Sequence, residues 1–332
     1  MNSAGTALPG VTEIRAARAR LRGVAVETPL LESASLNARY GARILVKAET
    51  LQRTGSFKLR GAYNRIAQLA PAQRARGVVA FSSGNHAQGV AAAAKIFGMR
   101  AVIAMPADTP AIKTGNVKAL GAEIVAFDRF RDDRIAVVRP YVDDGMVLVP
   151  PFDDPAIVAG QGTVGLELAE QAEAANARLD MVLVPCGGGG LTAGIALALE
   201  ATAPQARVWA VEPENFDDWA RSLAAGGIVA NRPGHASLCD AILTAAPGAI
   251  PFAVNRDRLA GALTVSDGAA LAAMRTAAEH LKLVVEPGGA VALAALNLPG
   301  LDLEGKTVAV VLSGGNVEPA LLARALGGTG CE

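Results

Sequence analysis

Apolar residues along this chain fall in short continuous runs rather than in strict alternation. The stretches "ARILVKAE" (42–49), "GVVAFSS" (77–83), "RAVIAMP" (100–106), "AEIVAF" (122–127), "MVLVPC" (181–186), "RVWAVEP" (207–213) and "TVAVVLS" (307–313) are apolar and rich in β-branched residues. They predict strands buried on both faces. Between them, "NHAQGVAAAAKIFG" (85–98), "TAGIALALEATA" (192–203) and "DGAALAAMRTAAEHLK" (267–282) have helical length and helix-forming composition. This β-then-α rhythm predicts an α/β fold of doubly wound parallel sheets covered by helices. No tandem repeat or low-complexity tract interrupts it.

In such sheets ligands bind beyond the carboxyl ends of the strands. Three of those ends are glycine-rich: "SSGN" after the 77 strand, "CGGGG" after the 181 strand and "SGGN" after the 307 strand. One such turn could simply reverse the chain. Three predict a single site assembled from distant segments.

Composition narrows what that site can hold. The chain has 332 residues, 51% hydrophobic and 19% charged, with 31 basic side chains balancing 31 acidic ones. That is enough for two domains or one large unit with a real core, and it leaves no net field to draw nucleic acid or an anionic membrane. A small-molecule partner is expected. Cys186, Cys239 and Cys331 include no close-spaced pair, so neither a disulfide framework nor a cysteine-based zinc site is indicated. The start "MNSAGTALPG" lacks the basic and apolar regions of a signal peptide, and no apolar stretch reaches membrane-spanning length. A cytoplasmic chain, neither secreted nor in a membrane, is the expectation.

"PCGGGGLTAG" sets Gly187, Gly188, Gly189 and Gly190 between a strand and a helix. Without side chains the backbone can come close to an anion, and the amides at the helix start point at it. No GK[ST] follows, so this is not a nucleoside-triphosphate loop. Gly188 to Ala193 does satisfy GxGxxA, and Glu212 ends the next strand where a dinucleotide fold keeps its ribose-binding acid. A dinucleotide-dependent oxidoreductase is therefore an open alternative.

"SFKLRGA" (56–62) places Lys58 among Phe57, Leu59, Arg60 and small residues. A solvated helix lysine would fit as well as an imine-forming one, whose amine must be partly neutral through burial or a nearby cation. "SSGNHAQG" (82–89) offers Ser82, Ser83, Asn85 and His86 at the head of a helix. Capping needs only one of them. A loop gripping a carboxylate or a cofactor oxygen accounts for the others.

In that order and over nearly the whole chain, "SFKLRGA", "SSGNHAQG", "GQGT" (160–163), "CGGGGL" and "SGGN" resemble the pyridoxal-phosphate enzymes of the threonine dehydratase and serine racemase family, of fold type II. The resemblance implies that Lys58 carries the cofactor as an imine, that Phe57 lines its ring and that Asn85 bonds its phenolic oxygen. Gly187 to Gly190 and the amide of Leu191 would hold the phosphate, and Ser313 would face the pyridine nitrogen. A hydroxyl there makes the ring a weaker electron sink than a carboxylate would, which favours loss of a β-substituent. The implied reaction is dehydration and deamination of a β-hydroxy amino acid such as L-serine or L-threonine, with the freed Lys58 amine removing the Cα proton.

Ser83 matches the position that handles a proton on the opposite ring face in racemases and some dehydratases. Glu286, in "VVEPGGAV" (284–291), matches a segment near the ring. Ser82 and His86 would contact substrate, and Arg134 in "FDRFRDDR" (127–134) could reach a second substrate carboxylate. "VEPENFDD" (211–218) resembles a divalent-cation segment, with Glu212 and Asp218 giving carboxylate oxygens and Phe216 a carbonyl to Mg²⁺ or Ca²⁺. The nearby "SLCDAI" (237–242) departs from a common TIADG-like stretch.

The expected organisation is a large domain from 1–51 and 149–332 with a small domain, 52–148, inserted, working as a homodimer. "SGGN" begins 19 residues before Glu332, so no C-terminal regulatory domain is expected. Alternatives on the same scaffold are 3-hydroxyaspartate dehydratase and serine racemase, and, more remotely, a non-catalytic binding protein.

Overall fold

The structure is a computed structural model and describes residues 7–129 and 131–327. The described residues form ten strands: β1 (Leu30–Glu32), β2 (Arg43–Ala48), β3 (Val78–Phe81), β4 (Ala101–Pro106), β5 (Glu123–Phe127), β6 (Val147–Leu148), β7 (Met181–Pro185), β8 (Arg207–Pro213), β9 (Leu259–Val265) and β10 (Thr307–Leu312). Six form one sheet in the order β1-β2-β10-β7-β8-β9, and four form a second in the order β5-β4-β3-β6. The second sheet uses residues between 78 and 148 alone.

All seven expected strands are present, and every pairing is parallel except β1 against β2. The central strands β3, β4, β7 and most of β2 and β10 are buried throughout, which is why they read as unbroken apolar runs. β1, β6 and β9 were not legible. Two are only two or three residues long, and β9, "LAGALTV", is half-buried with small residues that carry little strand signal. The helix expected over 267–282 ends at Thr276 and continues as a single π-helical turn to Leu281.

One long helix organises the rest. Pro155–Ala174 contains the "GQGT" stretch and touches the Lys58–Ala67 helix on one side and the Gly190–Thr202 helix on the other. A Cβ on Gly160 would lie 2.6 Å from Gly61 Cα, and a Cβ on Gly194 would collide with the backbone of Gly162. These glycines let three helix backbones meet without intervening side chains. A fourth helix, Asn85–Ile96, joins them, since a Cβ on Gly89 would sit 3.0 Å from the Lys58 carbonyl carbon.

Beneath this junction lies a dry charge network. Arg60 bonds both oxygens of Glu49 and of Glu167, and Lys47 bonds Glu167 at 2.7 Å and the Thr28 carbonyl at 2.6 Å. Arg60, Lys47 and Glu49 are at most 1% exposed. Burial works against the Glu49 charge, yet the Arg60 guanidinium beside it holds the carboxyl below the usual range. Removing one member strands the other charges without water. Arg60→Ala should therefore lose about 3–5 kcal/mol of unfolding free energy, read from urea melts; a loss below about 1 kcal/mol, typical of an exposed pair, would show that the network is not structural.

Candidate active site

Lys58 opens its helix directly after a segment tied to the end of β10. Phe57 N donates to the Ser313 carbonyl at 3.2 Å, and Ser56 pairs with Gly314 across an isolated antiparallel bridge. The lysine and the "SGGN" turn, more than 250 residues apart in sequence, thus form one backbone unit. The Lys58 amine points into a cleft of about 620 Å³ and donates to the Pro151 carbonyl at 2.9 Å.

Every residue expected at the cofactor and substrate lines this cleft: Phe57, Lys58, Ser82, Ser83, Asn85, His86, Gly187 to Gly190, Leu191, Glu286, Ser313 and Arg134. The first two glycine-rich turns reach it as β3 and β7 end, and the third as β10 ends. The capping alternative for "SSGN" does not hold. The helix begins at Asn85 behind Gly84, without a side-chain cap.

The electrostatics centre on Lys58. Burial lowers its pKa to about 8, while the nearby Glu286 carboxylate acts in the opposite direction. Arg60, the neighbour that sequence suggested as a cationic influence, points away into its own ion pairs. Burial likewise pushes Glu286 up to about 7, helped by Asp240, although Asn85 Nδ2 donates to its Oε1 at 2.5 Å. Asn316 fixes the Asn85 amide by donating to its Oδ1 at 2.7 Å and to the Thr54 carbonyl at 2.8 Å.

His86 stands in the cleft wall with Nε2 engaged by the Val149 carbonyl at 2.9 Å. Burial, with the Lys58 charge adding to it, lowers its pKa to about 3. It is a neutral imidazole. Arg134 starts the helix Arg134–Asp143 and lays its guanidinium over the Phe81 ring, 4.9 Å from the centroid. Among the described residues it makes no ion pair, whereas two other cations at the cleft, Lys113 and Arg129, are matched to Asp240 and Asp108.

Glu212 does not serve a ribose. Its carboxylate is buried at the end of β8 and accepts from Trp219 N at 2.9 Å and Ala220 N at 3.1 Å, capping the Asp218–Ala225 helix. That geometry removes the acid on which a dinucleotide site depended. Burial pushes Glu212 up to about 9 and Asp218 to about 6, and the Asp218 charge adds to the rise at Glu212. Asp218 Oδ2 is buried without a hydrogen-bond partner. No group of three or more acidic, histidine or cysteine side chains forms a metal cluster among the described residues.

The two described cysteines, Cys186 and Cys239, are buried and unpaired, and Cys331 lies outside the described residues. Among the described residues, no helix is long and apolar enough to cross a membrane. Sequence reasoning missed the Pro151 carbonyl, which carries no side-chain signal. It missed the bracing role of Asn316 and the Lys113–Asp240 pair, whose partners come together only in the fold.

A lysine of this kind captures an aldehyde only as the free amine. Reaction of cofactor-free protein with pyridoxal phosphate, followed by absorbance, should accelerate as pH rises through about 8 and level off above it. A rate still climbing toward pH ~10 would mean an ordinary solvated lysine.

Known proteins fit this geometry. The family described as pyridoxal-phosphate dependent enzyme matches residues 21–314. The chain is 42% identical to L-threo-3-hydroxyaspartate ammonia-lyase from Pseudomonas sp, over 90% of this chain and 92% of that one. Threonine deaminase from T.th. superposes with a TM-score of 0.88 at 44% identity, covering 93% and 99% of the two chains. Maize serine racemase gives 0.90 at 37% identity, covering 96% and 97%. The buried amine, the glycine cradle and the Asn85 and Ser313 side chains fit pyridoxal phosphate, and the chain belongs to the pyridoxal-phosphate-dependent enzymes of fold type II.

Proposed function

We propose that this enzyme is an ammonia-lyase whose substrate is a β-hydroxy amino acid with a second carboxylate, 3-hydroxyaspartate, converted to oxaloacetate and ammonia. The observation that carries the substrate is Arg134, a guanidinium in the cleft with no carboxylate partner among the described residues. A planar donor pair already stacked on Phe81 suits bidentate binding of a carboxylate. The likeness to the Pseudomonas hydroxyaspartate enzyme supports the same reading.

When bound, pyridoxal phosphate acidifies the Cα–H bond of the amino acid attached to it. Lys58 would hold the cofactor and, as a free amine, would take that proton; its pKa of about 8 suits it to act as a base near neutral pH. The β-hydroxyl would leave with a proton as one water, and a second water, consumed in hydrolysis, would release oxaloacetate and ammonia. Glu286, with a pKa of about 7, accepts from Asn85 and would place less than a full negative charge in the cleft that would hold the cofactor. A second reading is serine racemisation, favoured by the Ser83 hydroxyl and the Lys58 amine lining one cleft.

Glu212 and Asp218, with the Phe216 carbonyl, are proposed to hold Mg²⁺ or Ca²⁺. The partnerless Asp218 Oδ2 and the raised pKa values of both acids are what a cation between two buried carboxylates would relieve. The family resemblance supports a homodimer, a cytoplasmic setting and a mobile small domain over 52–148.

Oxaloacetate release from hydroxyaspartate isomers should exceed pyruvate release from L-serine, each read through a coupled dehydrogenase. Arg134→Ala should raise KM for hydroxyaspartate by about 10–100-fold and barely change it for serine. Equal losses on both substrates would remove Arg134 from the specificity account. Mg²⁺ should raise Tm of the wild type and leave Asp218→Asn unmoved; identical shifts in both proteins would place the cation elsewhere.

A further inference from the structure

The phosphate loop is oriented from behind. Its three successive carbonyls all point out of the cleft: Gly187 O accepts from Trp219 Nε1 at 2.6 Å, Gly188 O from Gly248 N at 3.1 Å, and Gly189 O from Ala193 N at 2.9 Å and Asn255 Nδ2 at 3.4 Å. In a trans peptide the N–H of the next residue points opposite to the carbonyl. Each outward carbonyl therefore turns the following amide, of Gly188, Gly189 and Gly190, toward the cleft.

Of these donors, only the Trp219 bond is a short one made by a side chain. The residue is fully buried, and its indole packs so tightly on Gly189 that any Cβ there would collide with it. Gly189 is at φ +88°, where a side chain would be strained in any case. The residue is held further by the Glu212 carboxylate, which accepts from its backbone N–H, and its indole by the Phe252 ring at 6.1 Å. Trp219 is absent from the cleft lining.

We propose that Trp219 is a positioning residue for cofactor binding: its indole N–H holds the Gly187 carbonyl outward and so presets the loop amides for the phosphate. The inference rests on pyridoxal phosphate as the cofactor and is independent of which amino acid is turned over. A role confined to the phosphate predicts a selective defect. Pyridoxal, which lacks the phosphate, reports on Lys58 alone.

In Trp219→Phe, which keeps an aromatic ring and loses the donor, the full chain stripped of cofactor should bind pyridoxal phosphate about tenfold more weakly. Imine formation with pyridoxal should stay within about twofold of wild type. Parallel losses for both ligands, or no loss for either, would overturn the proposal. Should the variant fold poorly, 5-fluorotryptophan in the otherwise unchanged chain gives two ¹⁹F signals, from Trp209 and Trp219; Trp209→Phe assigns them. The Trp219 signal should move with pyridoxal phosphate and stay put with pyridoxal, and equal movement or none would equally overturn it.

Discussion

The backbone contact of Gly160 with Gly61, and of Gly162 with Gly194, sets the distance on which everything else depends. Through it, the helix that begins at Lys58 and the helix that begins at Gly190 are held against one central helix, backbone against backbone at these glycines. In the proposed reading Lys58 binds an aldehyde and the glycine loop a phosphate, and the two serve one small ring only at the separation of those groups. Three rigid rods packed backbone to backbone fix that separation more firmly than side-chain packing would. The dry Arg60 network sits under the same junction and ties the Lys58 helix to β2 and to the central helix by charge.

Within that frame, charge is managed by burial more than by partners. Lys58 and Glu286 face one cleft, and each has its pKa moved toward neutrality chiefly by loss of water. A base and an acid brought near neutral pH in this way can exchange protons at small cost. The buried His86 follows the same rule to a different end. Held neutral, it contributes shape and a backbone anchor rather than a third charge.

Much of this was legible in the sequence because the site is built from strand ends, and strand ends are marked by glycine. Gly187 to Gly190, Asn85 and Ser313 could be placed in one site because the turns that carry them follow apolar runs, which locates them on the carboxyl edge of a sheet. "GQGT" was legible as a signal without a reason. Its glycines serve helix contact, which no local pattern distinguishes from a turn, and so the 20-residue helix around it went unread. Residues acting through the backbone or across long separations were also out of reach: the Pro151 carbonyl, Asn316 behind Asn85 and Trp219 behind the loop. Glu212 looked like a ribose ligand by spacing alone, and only its orientation shows that it caps a helix instead.

The glycine contacts also divide the molecule by how freely it can change. At Gly61, Gly160 and Gly194 even a methyl group has nowhere to go, so the helix junction behind the cleft tolerates almost no variation. Lys113, Arg129 and Arg134 come from the segments around the four-stranded sheet, where substitutions at the rim leave those helix contacts untouched. Such a division separates the inheritance of a chemistry from the choice of a substrate. One scaffold can drift among hydroxy amino acids by editing its rim, while the machinery that activates them stays locked in place.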